Sequence, residues 1–185
     1  SSLGIDNSDH VVIYDNSDVY SSCRVWYTFL YFGHETNLVS VLDGNFDKWI
    51  REGRPVSKNL IKTKISKYEA KENSFMVLNK TQVKEKFLGL QPEPRKGLSS
   101  GHIPGSKNLP FNLLLNKDRT FKKRADLISI FKKNKIALDK DIAFTCGSGV
   151  TACVLGMANS LINDKTPIVY DGSWSEYGLI KNETK

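Results

Sequence analysis

The sequence is poor in the residues that build disulfide scaffolds, metal sites and membrane spans. Its 185 residues include three cysteines and three histidines, an odd number of cysteines that does not predict a disulfide framework. Such cysteine usage favours a reducing compartment, so we expect a cytoplasmic or mitochondrial protein. Cys23 and His34 lack a metal-like spacing with each other or with Cys146, so we expect no zinc site and no cofactor. No apolar run approaches the roughly 20 residues that cross a bilayer, so we expect no membrane partner.

The charge is one-sided, with 27 Lys and Arg against 20 Asp and Glu and a formal net charge of +7. Much of it lies at 122–124 and 132–135, but no aromatic residues alternate with these lysines as a nucleic-acid stacking platform requires. Phe121, Leu127 and Phe131 recur there at helical spacing, so the lysines are expected on the solvated face of a helix. The positive field favours small anionic substrates, and we expect no nucleic-acid partner.

Apolar segments and turn residues predict strands and helices in alternation, which indicates an α/β fold with parallel strands and right-handed crossovers. The predicted strands are residues 10–14, 38–42, 107–110, 141–145 and 167–170. The predicted helices are residues 19–32, 46–50, 124–134 and 152–158, with a last helix starting at Ser173.

A weak internal repeat joins the two halves of the chain. Strand, helix, strand, Asp-Gly pair and aromatic helix occur in that order twice, with the Asp-Gly pairs at 43–44 and 171–172. This order suggests a duplicated unit. Asp15 in the first copy stands where Cys146 stands in the second, so only the second copy offers a nucleophile.

Cys146 opens the most informative motif of the chain, Cys146-Gly147-Ser148-Gly149-Val150-Thr151. A short apolar strand precedes it and a helix follows, so the thiol is expected at a strand end before a helix N-terminus. Loop N–H groups and the helix dipole favour a thiolate there, which is the nucleophilic form. The same pattern also suits a buried structural cysteine that precedes an ordinary turn.

Four motifs in order closely resemble those of the rhodanese superfamily. They are Pro92-Glu93-Pro94-Arg95, Gly101-His102-Ile103-Pro104-Gly105-Ser106, the Cys146 loop, and Tyr170-Asp171-Gly172-Ser173-Trp174-Ser175-Glu176. The Cys-Gly-Ser-Gly loop is similar to the 3-mercaptopyruvate sulfurtransferase branch, whereas thiosulfate sulfurtransferases typically carry basic residues there. The resemblance implies a rhodanese-like α/β fold, with a parallel sheet flanked by helices and two tandem units.

The resemblance also implies a sulfurtransferase that uses a small anionic sulfur donor. Cys146 would take sulfur from 3-mercaptopyruvate, or thiosulfate as second choice, and hold it as a persulfide. A thiol such as thioredoxin or a small thiol, or cyanide, would then accept the sulfur. By the same resemblance Ser148 assists catalysis and Arg95 grips the substrate carboxylate. The other substrate-binding residues that the resemblance implies are Lys86, Gly147, Gly149, Val150 and Thr151.

Two departures from the family pattern predict a shortened form. Residues 1–54 match a partial, non-catalytic first domain, residues 55–71 suggest a linker, and residues 72–185 match the catalytic domain. The first unit is predicted to be truncated, and the second to lack its opening strand. Lys86 stands where a second substrate arginine is expected, which keeps the charge but loses the bidentate fork. A weakened fold is the expected consequence.

The motifs leave one rival function open and disfavour another. A cysteine phosphatase needs an Arg six positions after its cysteine, where this chain has Ala152. A catalytically impaired binding or regulatory module stays open, although such modules have mostly lost the cysteine. Among the remaining residues, His102 is predicted to be structural and Cys153 a small buried residue. Met76 and Met157 are predicted in the core, and Asp171 and Trp174 as fold signatures near the site.

Overall fold

The computed structural model describes residues 1–59, 62–78 and 97–179, which divide into two compact units. The first unit comprises Ser1–Ser74 and Leu115–Phe121, and the second comprises Phe75–Leu114 and Lys122–Lys185. Each unit contains a pair of parallel strands joined through a helix, as the alternating pattern predicts. No helix among the described residues is long and apolar enough to cross a membrane.

The first unit repeats strand and helix twice. Its elements are β1 (Val11–Ile13), α1 (Ser21–Tyr31), a 3-10 turn (Thr36–Leu38), β2 (Val39–Val41) and α2 (Asn45–Arg51). β1 and β2 pair in parallel, with Val11 opposite Val39 and Ile13 opposite Val41. The predicted elements of this unit are therefore confirmed; β1, β2 and α1 are two or three residues shorter than predicted, and α2 is two residues longer.

The apolar face of α1 forms the core of the first unit. Cys23, Trp26 and Leu30 follow one another at spacings of three and four residues, which places them on one face of a helix. All three are buried, and α1 contacts both β1 and β2. Ile13 and Val39 of the sheet are buried as well, so the sequence period and the burial agree.

Residues 62–71, which fall within the predicted linker, hydrogen-bond to other parts of the first unit. The Ser66 hydroxyl donates to the Ile5 carbonyl at 2.6 Å, and the Glu69 N–H donates to the Asn7 side chain at 2.8 Å. The Lys71 N–H also donates to the Phe32 carbonyl at 3.0 Å. This stretch thus runs beside the start of the chain within its unit.

The second unit has the same order of elements around its sheet. After two 3-10 turns (Ser74–Met76, which bridges the unit boundary, and Phe111–Leu114) come α3 (Arg124–Lys133), β3 (Ala143–Phe144), α4 (Ala152–Asn163), β4 (Ile168–Val169) and α5 (Ser173–Tyr177). β3 and β4 pair in parallel, with Phe144 opposite Val169. The repeated strand–helix–strand–helix order supports the duplicated unit that the sequence predicts.

Helix α4 is buried around most of its circumference, and it contacts both strands and α3. A Cβ atom on Gly156 would lie 2.9 Å from the Pro167 side chain, which is too close. Glycine at this position therefore allows α4 to pack directly against Pro167. Cys153 and Met157 are buried here, and Met76 is fully buried elsewhere in the unit, as predicted.

One prediction about the second unit is corrected. Residues 107–110 do not form the predicted strand. No strand among the described residues pairs with them, and they line an open cleft instead. Near the place of the opening strand, judged from sequence as missing, Val77 forms a parallel bridge with Val169. The Leu78 N–H also donates to the Val169 carbonyl at 3.2 Å, so β4 has a backbone neighbour on this side.

Candidate active site

A cleft of about 1140 Å³ opens in the second unit beside the end of β3. Most of its lining residues come from three stretches of the chain, at 101–111, 135–137 and 140–147. Thr151, Leu155 and Trp174 complete the lining. The cleft therefore places the Cys146 loop at an accessible surface rather than in the core.

Cys146 lies two residues after β3, at the carboxyl end of the sheet. It is a free, half-buried cysteine that lines the cleft. The loop bends at Gly149, whose φ of 78° lies in the left-handed region that glycine adopts without a steric penalty. The Cys153 thiol donates to the Gly149 carbonyl at 3.2 Å, which ties the bend to the first turn of α4.

The loop lowers the pKa of the Cys146 thiol. Burial alone would raise this pKa, but a hydrogen bond from the Thr151 side chain acts against it. The backbone N–H groups of Ser148, Ala152 and Thr151 add further hydrogen bonds to the sulfur, and their combined effect exceeds that of burial. The geometry thus favours the thiolate, by the loop donors that the motif predicts.

Helix α5 holds the other side of the loop through backbone hydrogen bonds. The Trp174 N–H donates to the Cys146 carbonyl and the Ser175 N–H to the Gly147 carbonyl, both at 3.0 Å. The Ser175 hydroxyl donates to the same Gly147 carbonyl at 2.7 Å. The first residue of α5, Ser173, accepts the Cys146 N–H through its hydroxyl oxygen at 3.3 Å.

The structure brings together six of the eight predicted site residues. Cys146, Gly147, Ser148, Gly149, Val150 and Thr151 form the loop, and the Ser148 residue is exposed. Arg95 and Lys86 lie outside the described residues, so their predicted part in substrate binding stays a prediction. Sequence reasoning missed the contacts of Ser173 and Ser175 with this loop. The signal that could have found them is the repeated Asp-Gly pair that immediately precedes α5.

The cleft lining carries more positive than negative charge. Lys107, Lys135 and Lys140 line it together with a single acidic residue, Asp141. The Lys107 ammonium donates to the Lys135 carbonyl across the cleft wall. This charge suits a small anionic ligand. His102 lies in the same wall, where burial lowers its pKa. Among the described residues no group of three His, Cys, Asp or Glu side chains could hold a metal ion.

Comparison with protein families places the chain. The rhodanese-like domain family matches residues 1–52 and 78–179, which is more than half of the sequence. The chain belongs to this family. The predicted resemblance to the rhodanese superfamily and the predicted rhodanese-like α/β fold are therefore confirmed.

Curated relatives of this rhodanese-like chain are sulfurtransferases of two kinds. The chain is 37% identical to a 3-mercaptopyruvate sulfurtransferase of Mus musculus over 194 residues, and 40% identical to a thiosulfate sulfurtransferase of Bos taurus over 195 residues. In both cases the match covers 95% of this chain but only 65% of the relative. The rhodanese-like chain thus spans just under two thirds of the length of these relatives.

A solved structure agrees with the fold. SseA from Escherichia coli, described as having the rhodanese fold of 3-mercaptopyruvate sulfurtransferases, superimposes with a TM-score of 0.77 at 29% identity. The superposition covers 95% of this rhodanese-like chain and 70% of SseA. Tum1 from Saccharomyces cerevisiae shares the fold with a TM-score of 0.72 at 24% identity.

Proposed function

We propose that this chain is a sulfurtransferase that moves a sulfane sulfur through a Cys146 persulfide. The observation that carries the proposal is the thiol at the cleft, whose pKa is lowered by donors of its own loop. A thiolate is the form that attacks sulfur. The sulfurtransferases among the relatives support the same chemistry.

In the first step the Cys146 thiolate attacks the sulfur atom of 3-mercaptopyruvate. An S–S bond forms and the C–S bond breaks, so the electron pair of that bond stays on carbon as the enolate of pyruvate. The enolate takes a proton and leaves as pyruvate. The loop N–H groups that stabilise the thiolate also suit the terminal sulfur of a persulfide anion.

In the second step an acceptor thiolate attacks the outer sulfur of the persulfide. A new S–S bond forms on the acceptor, the Cys146–sulfur bond breaks, and Cys146 leaves as the thiolate that began the cycle. A small thiol or a thioredoxin-like protein is the proposed acceptor, and cyanide would accept the sulfur as thiocyanate.

We place 3-mercaptopyruvate before thiosulfate as the donor because of the charge of the loop. The segment between Cys146 and Thr151 contains no Lys or Arg, so it offers no side-chain cation to a second negative charge beside the sulfur. The lysines of the cleft lining, Lys107, Lys135 and Lys140, supply a more distant positive field that suits a monocarboxylate.

The test is to incubate the purified chain with 3-mercaptopyruvate, and separately with thiosulfate, and to measure intact mass and pyruvate release. We expect one sulfur atom to be gained with 3-mercaptopyruvate, together with stoichiometric pyruvate. The Cys146→Ser variant is the control and should gain none. A folded wild-type chain that gains no sulfur from either donor would overturn the proposal in favour of a binding or regulatory module.

A further inference from the structure

The hydroxyl of Ser173 is the centre of a small buried hydrogen-bond network under the Cys146 loop. Ser173 is fully buried. Its oxygen accepts from the Cys146 N–H and from the Thr145 hydroxyl, each at 3.3 Å. Its own proton goes to the Tyr170 carbonyl at 2.8 Å. One side chain therefore joins the end of β3, the end of β4 and the start of the loop.

The backbone of Ser173 indicates that this hydroxyl is held at a conformational cost. Its φ is 48°, in the left-handed region that non-glycine residues seldom occupy. A buried residue in that region persists where the surrounding contacts require its side chain. Glycine would relieve the backbone but would leave the Cys146 N–H without this acceptor.

The first unit contains an equivalent hydrogen bond at the equivalent position. Asn45 follows an Asp-Gly pair, begins α2 and has a φ of 56°. Its side-chain oxygen accepts the Asp15 N–H at 3.2 Å, as the Ser173 oxygen accepts that of Cys146. The Phe46 N–H donates to the Asp15 carbonyl at 3.2 Å, as the Trp174 N–H does to that of Cys146. The hydrogen bond from the strand-end N–H to the first residue of the short helix therefore recurs in both units and is not peculiar to the Cys146 loop.

We propose that Ser173 is a positioning residue that holds the Cys146 backbone so that the sulfur lies within reach of the loop donors. The hydroxyl acts through its hydrogen bond with the Cys146 N–H and through the end of β3. The importance of Ser173 for turnover rests on the proposed sulfur transfer. The effect of Ser173 on the reactivity of the Cys146 thiol is independent of that proposal.

The test compares Ser173→Ala and Ser173→Gly by the pH dependence of iodoacetamide alkylation of Cys146, followed by intact mass. Both variants lack the hydroxyl, but glycine removes the backbone strain that alanine keeps. We expect the alkylation rate at pH 7 to fall about three- to tenfold in both variants, because fewer donors reach the sulfur. The apparent pKa of Cys146 should rise in both.

Asn45→Ala is the matched control, since it removes the equivalent contact in the first unit. We expect it to lower the melting temperature and to leave the alkylation profile of Cys146 unchanged within about twofold. Cys146→Ser identifies any alkylation of the buried Cys23 and Cys153. The assay needs no sulfur donor, so a failure of the proposed sulfur transfer would not be mistaken for a failure of this inference.

A wild-type alkylation profile in a folded Ser173→Gly chain would overturn the proposal, since the hydroxyl would then be dispensable. Ser175→Ala keeps the test informative where neither Ser173 variant folds. Ser175 is exposed and its hydroxyl donates to the Gly147 carbonyl, so its removal loosens the same side of the loop without emptying a buried site. We expect a rate lowered about twofold, and an unchanged rate would count against positioning by α5.

Discussion

The loop after β1 and the loop after β3 share their backbone hydrogen bonds but carry different side chains at the first position. Asp15 and Cys146 each have their N–H accepted by the first residue of the following short helix. The Asp15 carboxylate accepts the Ser22 N–H and the Ser21 hydroxyl at the start of α1. The Cys146 sulfur is held by donors of Thr151 and Ala152 at the start of α4.

The backbone arrangement of strand end, loop and helix N-terminus, here called the frame, is shared by both units. The side chain at the first loop position differs. In both units a strand end delivers an anion to a helix N-terminus, where unpaired N–H groups stabilise it. A carboxylate there caps the helix but offers no sulfur nucleophile. A thiolate there is both a cap and a nucleophile. One residue therefore decides whether the repeated frame is structural or, as we propose, catalytic.

The largest effect is expected from Cys146→Asp, which gives the second unit the side chain of the first. Sulfur gain from 3-mercaptopyruvate should fall at least about a thousandfold, because no nucleophilic sulfur remains. Because the new carboxylate can accept hydrogen bonds from the same loop donors, the variant should still fold and melt cooperatively. Intact mass after incubation and thermal unfolding by circular dichroism check the two halves of this prediction. Sulfur gained elsewhere on the variant would place the nucleophile at another residue.

A second variant removes the capping carboxylate of the first unit. Asp15→Ala leaves the Ser22 N–H at the start of α1 without its acceptor, and we expect a loss of about 1–2 kcal/mol in the free energy of unfolding. Urea denaturation measures it. Asp18→Ala is the control in the same loop, because Asp18 is fully exposed and its Arg119 contact is 4.0 Å long. An equal loss in both variants would contradict a specific capping role.

The sequence predicts the parts of this comparison that depend on local patterns. The period of Cys23, Trp26 and Leu30 predicts the buried face of α1, because a helix buries what recurs every three to four residues. The loop from Cys146 to Thr151 predicts a thiolate, because its glycine-rich turn and following helix are contiguous in the chain.

What the sequence could not predict depends on distant partners. Ser173 lies 27 residues after Cys146, and no periodicity indicates which N–H its hydroxyl accepts. Val77 forms a parallel bridge with Val169, which lies far away in the sequence. The apolar segment around Val77 is too short for its own sequence to predict this pairing. Residues 107–110 include Asn108 and Pro110, residue types that are depleted in strands, and no strand among the described residues pairs with them.

A smaller effect is expected from Thr151→Val, which keeps the shape of the side chain and removes its hydrogen bond to the sulfur. The pKa of Cys146 should rise, and alkylation at pH 7 should slow about three- to fivefold. Thr28→Val is the control, because the Thr28 hydroxyl donates to the Arg24 carbonyl within α1 of the first unit and takes no part in the Cys146 loop. The measurement is the alkylation rate from pH 6 to 10. Equal profiles for wild type and Thr151→Val would show that the backbone donors alone lower the pKa of the Cys146 thiol.

The smallest expected effect is a pH dependence of the free energy of unfolding that comes from the cysteine of the second unit. The pKa of Cys146 is lowered on folding, so its ionisation stabilises the folded chain above the ordinary thiol pKa. That stabilisation is lost as the pH falls through the lowered value. The difference in unfolding free energy between wild type and Cys146→Ser should therefore increase with pH across this window and then level off. Urea unfolding at several pH values tests it, and a difference that decreased with pH would contradict the thiolate.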